Sequence, residues 1–220
     1  MEGITANDTY TLYLPLVLKE EPPTPLPPSI SGTVTYSGTR IAGIPLSLEF
    51  SANGTTFTTY STTTTLSNGT YRFSSLPDLQ SGQRYYVRYV NQTNSSHLSA
   101  WYTRAITENF TGEVNIGDFD IANVALNSPP HSYSGPLPIT FQWTRRNATP
   151  SDSYFFQLFN PANYNPRFLS DPLGNVNTYT LTGLPANFQT RVQYGWNAGI
   201  KSPDNGTGYS FSYRAITFTP

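Results

Sequence analysis

Side chains able to carry out catalysis are scarce in this chain. Its 220 residues include two histidines, no cysteine and one methionine, and charged residues make up only 11%. Catalysis requires titratable groups held close together, yet His97 and His131 each lie in a polar, loop-like stretch. The sequence contains neither a Gly-x-Ser-x-Gly motif nor a glycine-rich phosphate-binding motif. We therefore predict a protein that is not an enzyme and that uses no cofactor.

Two carboxylates lie two residues apart in Asp118-Phe119-Asp120. This spacing puts both on one face of a strand, where they could bind calcium or act as an acid–base pair. Strand alternation explains the same spacing without a ligand, because Phe119 and Ile121 would face the core and the two carboxylates would face water. We predict no metal site. The same alternation predicts that Glu49 faces water.

Aromatic side chains are the candidates for ligand contact. Aromatic residues make up 15% of the chain, and 16 residues are Tyr. Exposed rings can stack on sugars, which makes Trp101 with Tyr102, and Tyr194 with Trp196, candidate pairs. The alternative is that Trp143, Trp196 and part of Trp101 belong to the core. We predict glycan stacking at Trp101 and Tyr102.

Asparagine supplies a further kind of candidate site. Eight Asn-X-Ser/Thr motifs occur, mostly at turn-like positions where a surface glycan could be accommodated. The alternative is that Asn-Gly-Thr is simply favourable hairpin sequence. Glycosylation is predicted, if the chain is exported, at the following positions: Asn7, Asn53, Asn68, Asn91, Asn94, Asn109, Asn147 and Asn205.

Charge and hydropathy restrict the partners and the location. The net charge is −1, so no basic field is available for nucleic acid. The longest apolar segment is N-terminal and too short to span a bilayer as a helix. It does not have the pattern of a signal peptide, because no basic region precedes it and prolines follow it. The lack of oxidisable residues suits an extracellular protein, and we predict that the chain is secreted or displayed on the cell surface.

The elements that position these residues are short strands separated by turns. Alternating apolar residues from Ile30 to Tyr36 indicate a strand, and Asn53-Gly54 and Asn68-Gly69 indicate hairpin turns. Residues 55–65 are almost all Thr, Phe, Tyr and Ser, which is typical of a polar strand, and an edge position is one interpretation. No window has a helical period. We predict an all-β chain with two β-sandwich domains in tandem.

Residues 29–127 resemble a known domain family. The segments that carry the resemblance are Ile30-Ser-Gly-Thr-Val34, Ala42-Gly-Ile-Pro-Leu46, Asn68-Gly-Thr-Tyr-Arg-Phe73 and Tyr85-Tyr-Val87. They are similar to the carboxypeptidase-regulatory-like domain, a prealbumin-like β-sandwich common as a repeat in secreted proteins. The resemblance implies a non-catalytic scaffold or an adhesive role.

A second pattern of strands follows a predicted linker at residues 128–136. Residues 137–220 resemble a fibronectin type III-like sandwich, with a Leu-Pro corner at Leu184 before a strand that contains Tyr194-Gly-Trp196. The tyrosine of the tyrosine corner is expected to be missing, with Phe188 or no residue in its place.

The N-terminus carries a separate apolar strand. Residues 1–19 are predicted to form an extended strand and residues 20–28 a proline-rich linker. Such a linker favours polyproline II and reaches about 28 Å, which holds the strand away from the domain that follows. One face of the strand is formed by Tyr10, Leu12, Leu14, Leu16 and Leu18.

An exposed apolar strand must be buried, and donor-strand complementation is one way to bury it. The arm resembles the donor strands of pilus-like and thread-like filament subunits, so we predict a homopolymer joined head-to-tail. Two alternatives stay open: the strand folds back onto its own chain, or the protein is a monomeric carbohydrate-binding or adhesive module. Pro15 lies in the other phase and removes one ladder donor, which an edge strand tolerates more easily than an inserted strand.

Overall fold

The computed structural model describes residues 26–220, which form strands and loops with no helix among them. The predicted all-β fold class is confirmed. The strands are β1 (Ser29–Tyr36), β2 (Thr39–Arg40), β3 (Pro45–Ser51), β4 (Thr58–Thr64), β5 (Thr70–Phe73), β6 (Arg84–Val90), β7 (Ala100–Tyr102), β8 (Glu113–Asn115), β9 (Phe119–Asp120), β10 (Leu126–Ser128), β11 (Tyr133–Gly135), β12 (Ile139–Trp143), β13 (Ser153–Phe159), β14 (Arg167–Leu169), β15 (Thr178–Leu181), β16 (Gln193–Lys201), β17 (Thr207–Tyr209) and β18 (Arg214–Phe218).

The first sandwich has two layers. In one layer β1 pairs with β2 and β5 in antiparallel fashion and with β8 and β9 in parallel fashion. The other layer has the order β4-β3-β6-β7. Alternate residues of β1 and β3 point inward, so Ile30, Val34, Leu46 and Leu48 are buried between the layers.

The second sandwich also has two layers. One contains β10-β12-β15, and the other contains β14-β13-β16 with β18 and β11 beyond β16. An aromatic cluster fills the space between them, because the Phe141 ring lies 4.4 Å from Phe156 and 5.0 Å from Trp196. Within the predicted linker 128–136, β11 pairs in parallel with β18.

A tyrosine corner is present in the second sandwich, so the prediction that it is missing was wrong. The backbone N–H of Gln189 donates a hydrogen bond of 3.0 Å to the Tyr194 hydroxyl. This is the back-bond to a residue a few positions upstream that defines the corner. The tyrosine lies at the start of β16 itself, and Phe188 packs against its ring at 4.7 Å instead of replacing it.

The two sandwiches share one sheet. Strand β17 of the second sandwich pairs with β16 on one side and with β7 of the first sandwich on the other. This pairing joins the larger layers into a ten-stranded sheet. The Ser99 N–H also donates to the Tyr209 carbonyl at 3.0 Å. Backbone hydrogen bonds therefore hold the two sandwiches together.

A buried ion cluster reinforces this junction. Arg146 of the second sandwich lies between Asp120 and Asp152, and the three side chains are only 2–3% exposed. Its Nε donates to Asp152 at 3.1 Å, and its guanidinium lies 5.8 Å from the centre of the Trp101 ring. The prediction that Asp120 faces water was wrong: its side chain points out of the first sandwich, but the second sandwich covers that face. Asp118 is exposed, as predicted.

Candidate functional site

The predicted donor residues Tyr10, Leu12, Leu14, Leu16 and Leu18 lie outside the described residues. The described chain does contain open sheet edges to which a strand could add. Strand β4, Thr58–Thr64, is the longest of them, and within residues 26–220 it pairs on one side only, with β3. It contains five Thr, one Ser and one Tyr, without a charged residue or a proline.

Apolar side chains and a groove lie beside this edge. Tyr60 and Leu66 are 47% and 64% exposed, which is high for large apolar side chains. Tyr60 packs edge-on against Tyr85 at 6.0 Å, so it continues the core of the first sandwich toward the open side. A groove of about 600 Å³, lined by Leu46 and Thr63 among others, follows the second half of β4.

Trp101 does not offer a stacking surface. Trp101 is only 2% exposed. The Phe119 ring stacks on it, with ring centres 5.4 Å apart and an angle of 7° between the ring planes, and the Arg146 guanidinium lies above the indole ring. An indole enclosed in this way cannot stack on a sugar, so the expectation for Trp101 is corrected. Successive side chains of β7 alternate between the two faces of the sheet, and the Trp101 position is the one that faces the core.

Tyr102 points to the opposite face of the sheet and is half-buried. It belongs to an aromatic row that crosses the junction, with ring centres 6.0 Å from Tyr86 and 6.3 Å from Tyr209. Phe155 extends the row into the second sandwich, 5.7 Å from Tyr209. The row lies on the outer face of the shared sheet, opposite the two cores.

A cleft of about 310 Å³ opens where this row crosses from one sandwich to the other. The β7 side contributes Tyr102, and the second sandwich contributes a tyrosine rim and three polar side chains. None of the residues from the second sandwich was predicted from the sequence. They are Gln157, Tyr164, Arg167, Asn197 and Tyr209.

Glycines shape the floor of this cleft. A Cβ added to Gly199 would lie 2.0 Å from the Phe155 ring, and one added to Gly195 would lie 3.0 Å from the Phe159 ring. The two rings can therefore lie flat on β16, one on each side of Asn197. Glycines spaced four apart in an apolar strand indicate such a close approach, and this was the available sequence signal.

The sequons differ in how their side chains are used. Asn7 lies outside the described residues, and glycosylation at the other positions stays a prediction. Asn91 is half-buried, and its Nδ2, the atom that would carry a glycan, donates to the carbonyls of Asn94 at 2.7 Å and Leu98 at 3.2 Å. The exposed members are Asn53, Asn68, Asn94, Asn109, Asn147 and Asn205.

The titratable groups are used in structural contacts. His97 lies 3.2 Å from the Tyr89 hydroxyl, and burial lowers its pKa although nearby Asp120 opposes this. The prediction that Glu49 faces water was wrong. Glu49 is only 3% exposed, because side chains of the flanking strands cover it. Its carboxylate accepts a hydrogen bond from the Ser47 hydroxyl and lies 3.8 Å from the Arg88 guanidinium. Within the described chain, no group of three or more His, Asp or Glu side chains is placed to hold a metal ion.

Comparison of the sequence with protein families and with curated proteins finds no match. Among solved structures, the chain is similar to a DUF3823 family protein from Bacteroides ovatus (TM-score 0.34, 14% identity, 88% of this chain and 100% of that chain covered). It is also similar to fibronectin(III)-like modules of Clostridium thermocellum CbhA (TM-score 0.29, 13% identity, 90% of this chain and 92% of that chain covered). A third similar structure is that of BcpA, the major pilin subunit of Bacillus cereus (TM-score 0.31, 12% identity, 87% of this chain and 69% of that chain covered). Likenesses at this level carry no argument about what this chain does. Residues 26–220 form no helix long and apolar enough to cross a membrane.

Proposed function

We propose that this chain is a non-catalytic structural protein of the cell surface that polymerises head-to-tail. In this proposal the N-terminal strand of one copy adds to the β4 edge of the next copy. The observation that carries the proposal is the composition of β4. It is a seven-residue edge strand with no charge and no proline, next to exposed apolar side chains.

Edge strands normally carry a feature that prevents pairing with other chains, such as a charge, a proline or a short length. Other edges of the described chain have one: β14 begins with Arg167, β8 begins with Glu113, and β5 contains Arg72. Strand β4 has none of these features and has a strong preference for extended structure. It therefore requires a partner strand or a cover.

The N-terminal strand has the complementary requirement. If residues 9–19 are extended, as their alternation predicts, five large apolar side chains share one face, and burying all of them would contribute about 10 kcal/mol before the cost of ordering the arm. A strand added to β4 becomes the new edge and forms ladder hydrogen bonds on one side only. Pro15 fits this position better than an inserted one, because its missing N–H can face the unpaired side.

The described part of the chain suits a subunit that transmits force along a filament. The two sandwiches share one sheet, and the Arg146 cluster holds the junction from the other side, so force applied at β4 is transmitted through paired strands. Both carboxylates of this cluster are buried and paired with the same guanidinium, which favours a structural role over a catalytic one.

Negative-stain microscopy and light scattering of the purified chain test the proposal. We expect filaments from the intact chain and monomers after deletion of residues 1–19, which leaves every described strand in place. Thr63→Lys puts a charge on the inward side of the β4 edge and should also give monomers. Thr178→Lys, the same change at the exposed edge strand β15 of the second sandwich, should leave filaments unaffected.

An intact chain that stays monomeric at high concentration would refute polymerisation. A monomer whose mass does not change but whose β4 amides lose hydrogen-exchange protection on deletion of residues 1–19 would show that the strand folds back onto its own edge. If filaments are lost with Thr178→Lys and retained with Thr63→Lys, the acceptor edge is β15 instead of β4.

A further inference from the structure

The junction cleft has the features of a binding site that neither catalysis nor polymerisation requires. Two of its polar side chains are almost completely buried, with Gln157 2% exposed and Asn197 8% exposed. They are cross-strand neighbours on β13 and β16 and form the floor of the cleft. Buried amides on an outer sheet face are costly unless hydrogen bonds satisfy them.

The hydrogen bonds of this floor leave a donor available. With the Gln157 amide nitrogen facing Asn197, it donates to the Asn197 Oδ1 at 2.9 Å. The Gln157 oxygen then accepts from Arg167 Nε at 2.7 Å. Asn197 Nδ2 forms no hydrogen bond with the part of the chain that the structure describes, and Asn197 lines the cleft. A ligand oxygen could therefore accept from it.

The charge in the cleft is positive, and no ion pair within the described residues compensates it. Arg167 is the charged residue of the lining, and within the described chain its guanidinium has no carboxylate within 4.0 Å. Its Nε and Nη2 are directed at Gln157, and Nη2 is also 3.4 Å from the Tyr209 hydroxyl. The side chain is thus oriented by neutral groups and keeps its charge for a ligand anion.

The rim of the cleft is aromatic. The ring of Tyr164 stacks on Phe159 at 4.8 Å and 9°, and Tyr164 is 58% exposed, so its other face is open. Tyr102 and Tyr209 form the opposite wall. Tyrosine combines an apolar ring face with a polar hydroxyl, which matches the apolar faces and hydroxyl edges of a sugar ring.

We propose that this cleft binds an acidic saccharide, with a sugar ring against Tyr164, a hydroxyl on Asn197 and a carboxylate on Arg167. The cleft of about 310 Å³ is at the lower end of the usual size for small-molecule sites. It therefore holds one or two sugar residues of a longer chain. The inference does not depend on the proposed polymerisation, because no residue of the cleft belongs to β4.

Isothermal titration of the full chain with uronate oligosaccharides tests the proposal. The matched probes are the same oligosaccharides after reduction of the carboxyl groups, together with a single-stranded oligonucleotide of equal charge. We expect binding of the uronates, with roughly tenfold or greater weakening for the reduced forms. Arg167→Gln should weaken uronate binding to the level of the reduced forms. Tyr164→Ala should weaken both forms.

Arg40→Gln is the matched control, since Arg40 is an exposed arginine of the first sandwich. Its uronate affinity should equal that of the unmodified chain, and thermal melting should confirm that all three variants are folded. Equal affinity for uronates and reduced forms, or affinity unchanged by Arg167→Gln, would overturn the carboxylate assignment. Absence of uronate binding at millimolar concentration, or preference for the oligonucleotide, would overturn the saccharide assignment.

Discussion

Replacement of Arg146 by methionine should destabilise the protein strongly. The substitution keeps much of the side-chain volume but removes the guanidinium from between Asp120 and Asp152, whose side chains are 2% and 3% exposed. Removing one partner of a buried ion pair typically costs about 3–5 kcal/mol, because the remaining charge is buried without compensation. Here the loss should approach the upper figure, since two carboxylates remain and the cation–π contact with Trp101 is also lost.

The two carboxylates should not contribute equally to this loss. Without Arg146, Asp120 still accepts hydrogen bonds from the Thr35 hydroxyl at 2.8 Å and the Gly38 N–H at 2.7 Å. Asp152 keeps one side-chain hydrogen bond within the described chain, from a neighbouring threonine hydroxyl. Asp152→Asn added to Arg146→Met should therefore restore more stability than Asp120→Asn added to the same variant.

Urea unfolding and calorimetry measure these effects. A loss of about 5 kcal/mol corresponds to a Tm lower by about 10–20 °C for a chain of this size. Because the cluster lies at the junction, the variant should also unfold in two steps instead of one, as the sandwiches separate before they melt. A loss below about 1 kcal/mol, or equal rescue by the two asparagine substitutions, would refute this reasoning.

Three further predictions concern packing and pH. Tyr194→Phe should lower the free energy of unfolding by about 1 kcal/mol in urea titrations, because the corner hydrogen bond is lost. Gly199→Ala should cost about 1–3 kcal/mol, because its Cβ would collide with the Phe155 ring. Burial lowers the pKa of His97, so the folded state binds its proton less readily than the unfolded state. Protonation of His97 therefore leaves the free energy of unfolding unchanged above the unfolded-state pKa of about 6.5 and lowers it as the pH drops below that value. His97→Gln should remove this part of the pH dependence in calorimetry.

Much of the local structure follows from short-range rules that the sequence displays. The chain turns at Asn53-Gly54 and at Asn68-Gly69, and both glycines have φ of 76°, a conformation that glycine adopts without strain. Only the first turn lies in a hairpin, in the loop between β3 and β4, because β4 and β5 on either side of the second turn belong to different sheets. Alternation identified the buried face of β1 and the buried positions Leu46 and Leu48 of β3, but it failed at Glu49, next to a register shift between β3 and β4. Such predictions succeed because turn chemistry and strand periodicity depend on residues close together in the chain.

The candidate sites were predicted only in part. Tyr102 was singled out from the sequence and lines the junction cleft, and its role in ligand contact stays a prediction. Trp101, one residue earlier, was assigned the same role but belongs to the core. The floor residues Gln157 and Asn197 come from separate strands, so no local motif could have joined them to Tyr102.

By itself the sequence determined that the chain forms strands, which face of many of them is apolar, and where several turns lie. Only the tertiary structure determined what packs against the opposite, polar face of these strands. The pairing of β7 with β17 is a contact between residues more than 100 positions apart, and it joined one layer of each predicted domain into a single sheet. That same contact buried Asp120 and created the cleft. Alternation distinguishes the two faces of a strand, but only long-range packing decides whether the polar face meets water, an ion partner or another sheet.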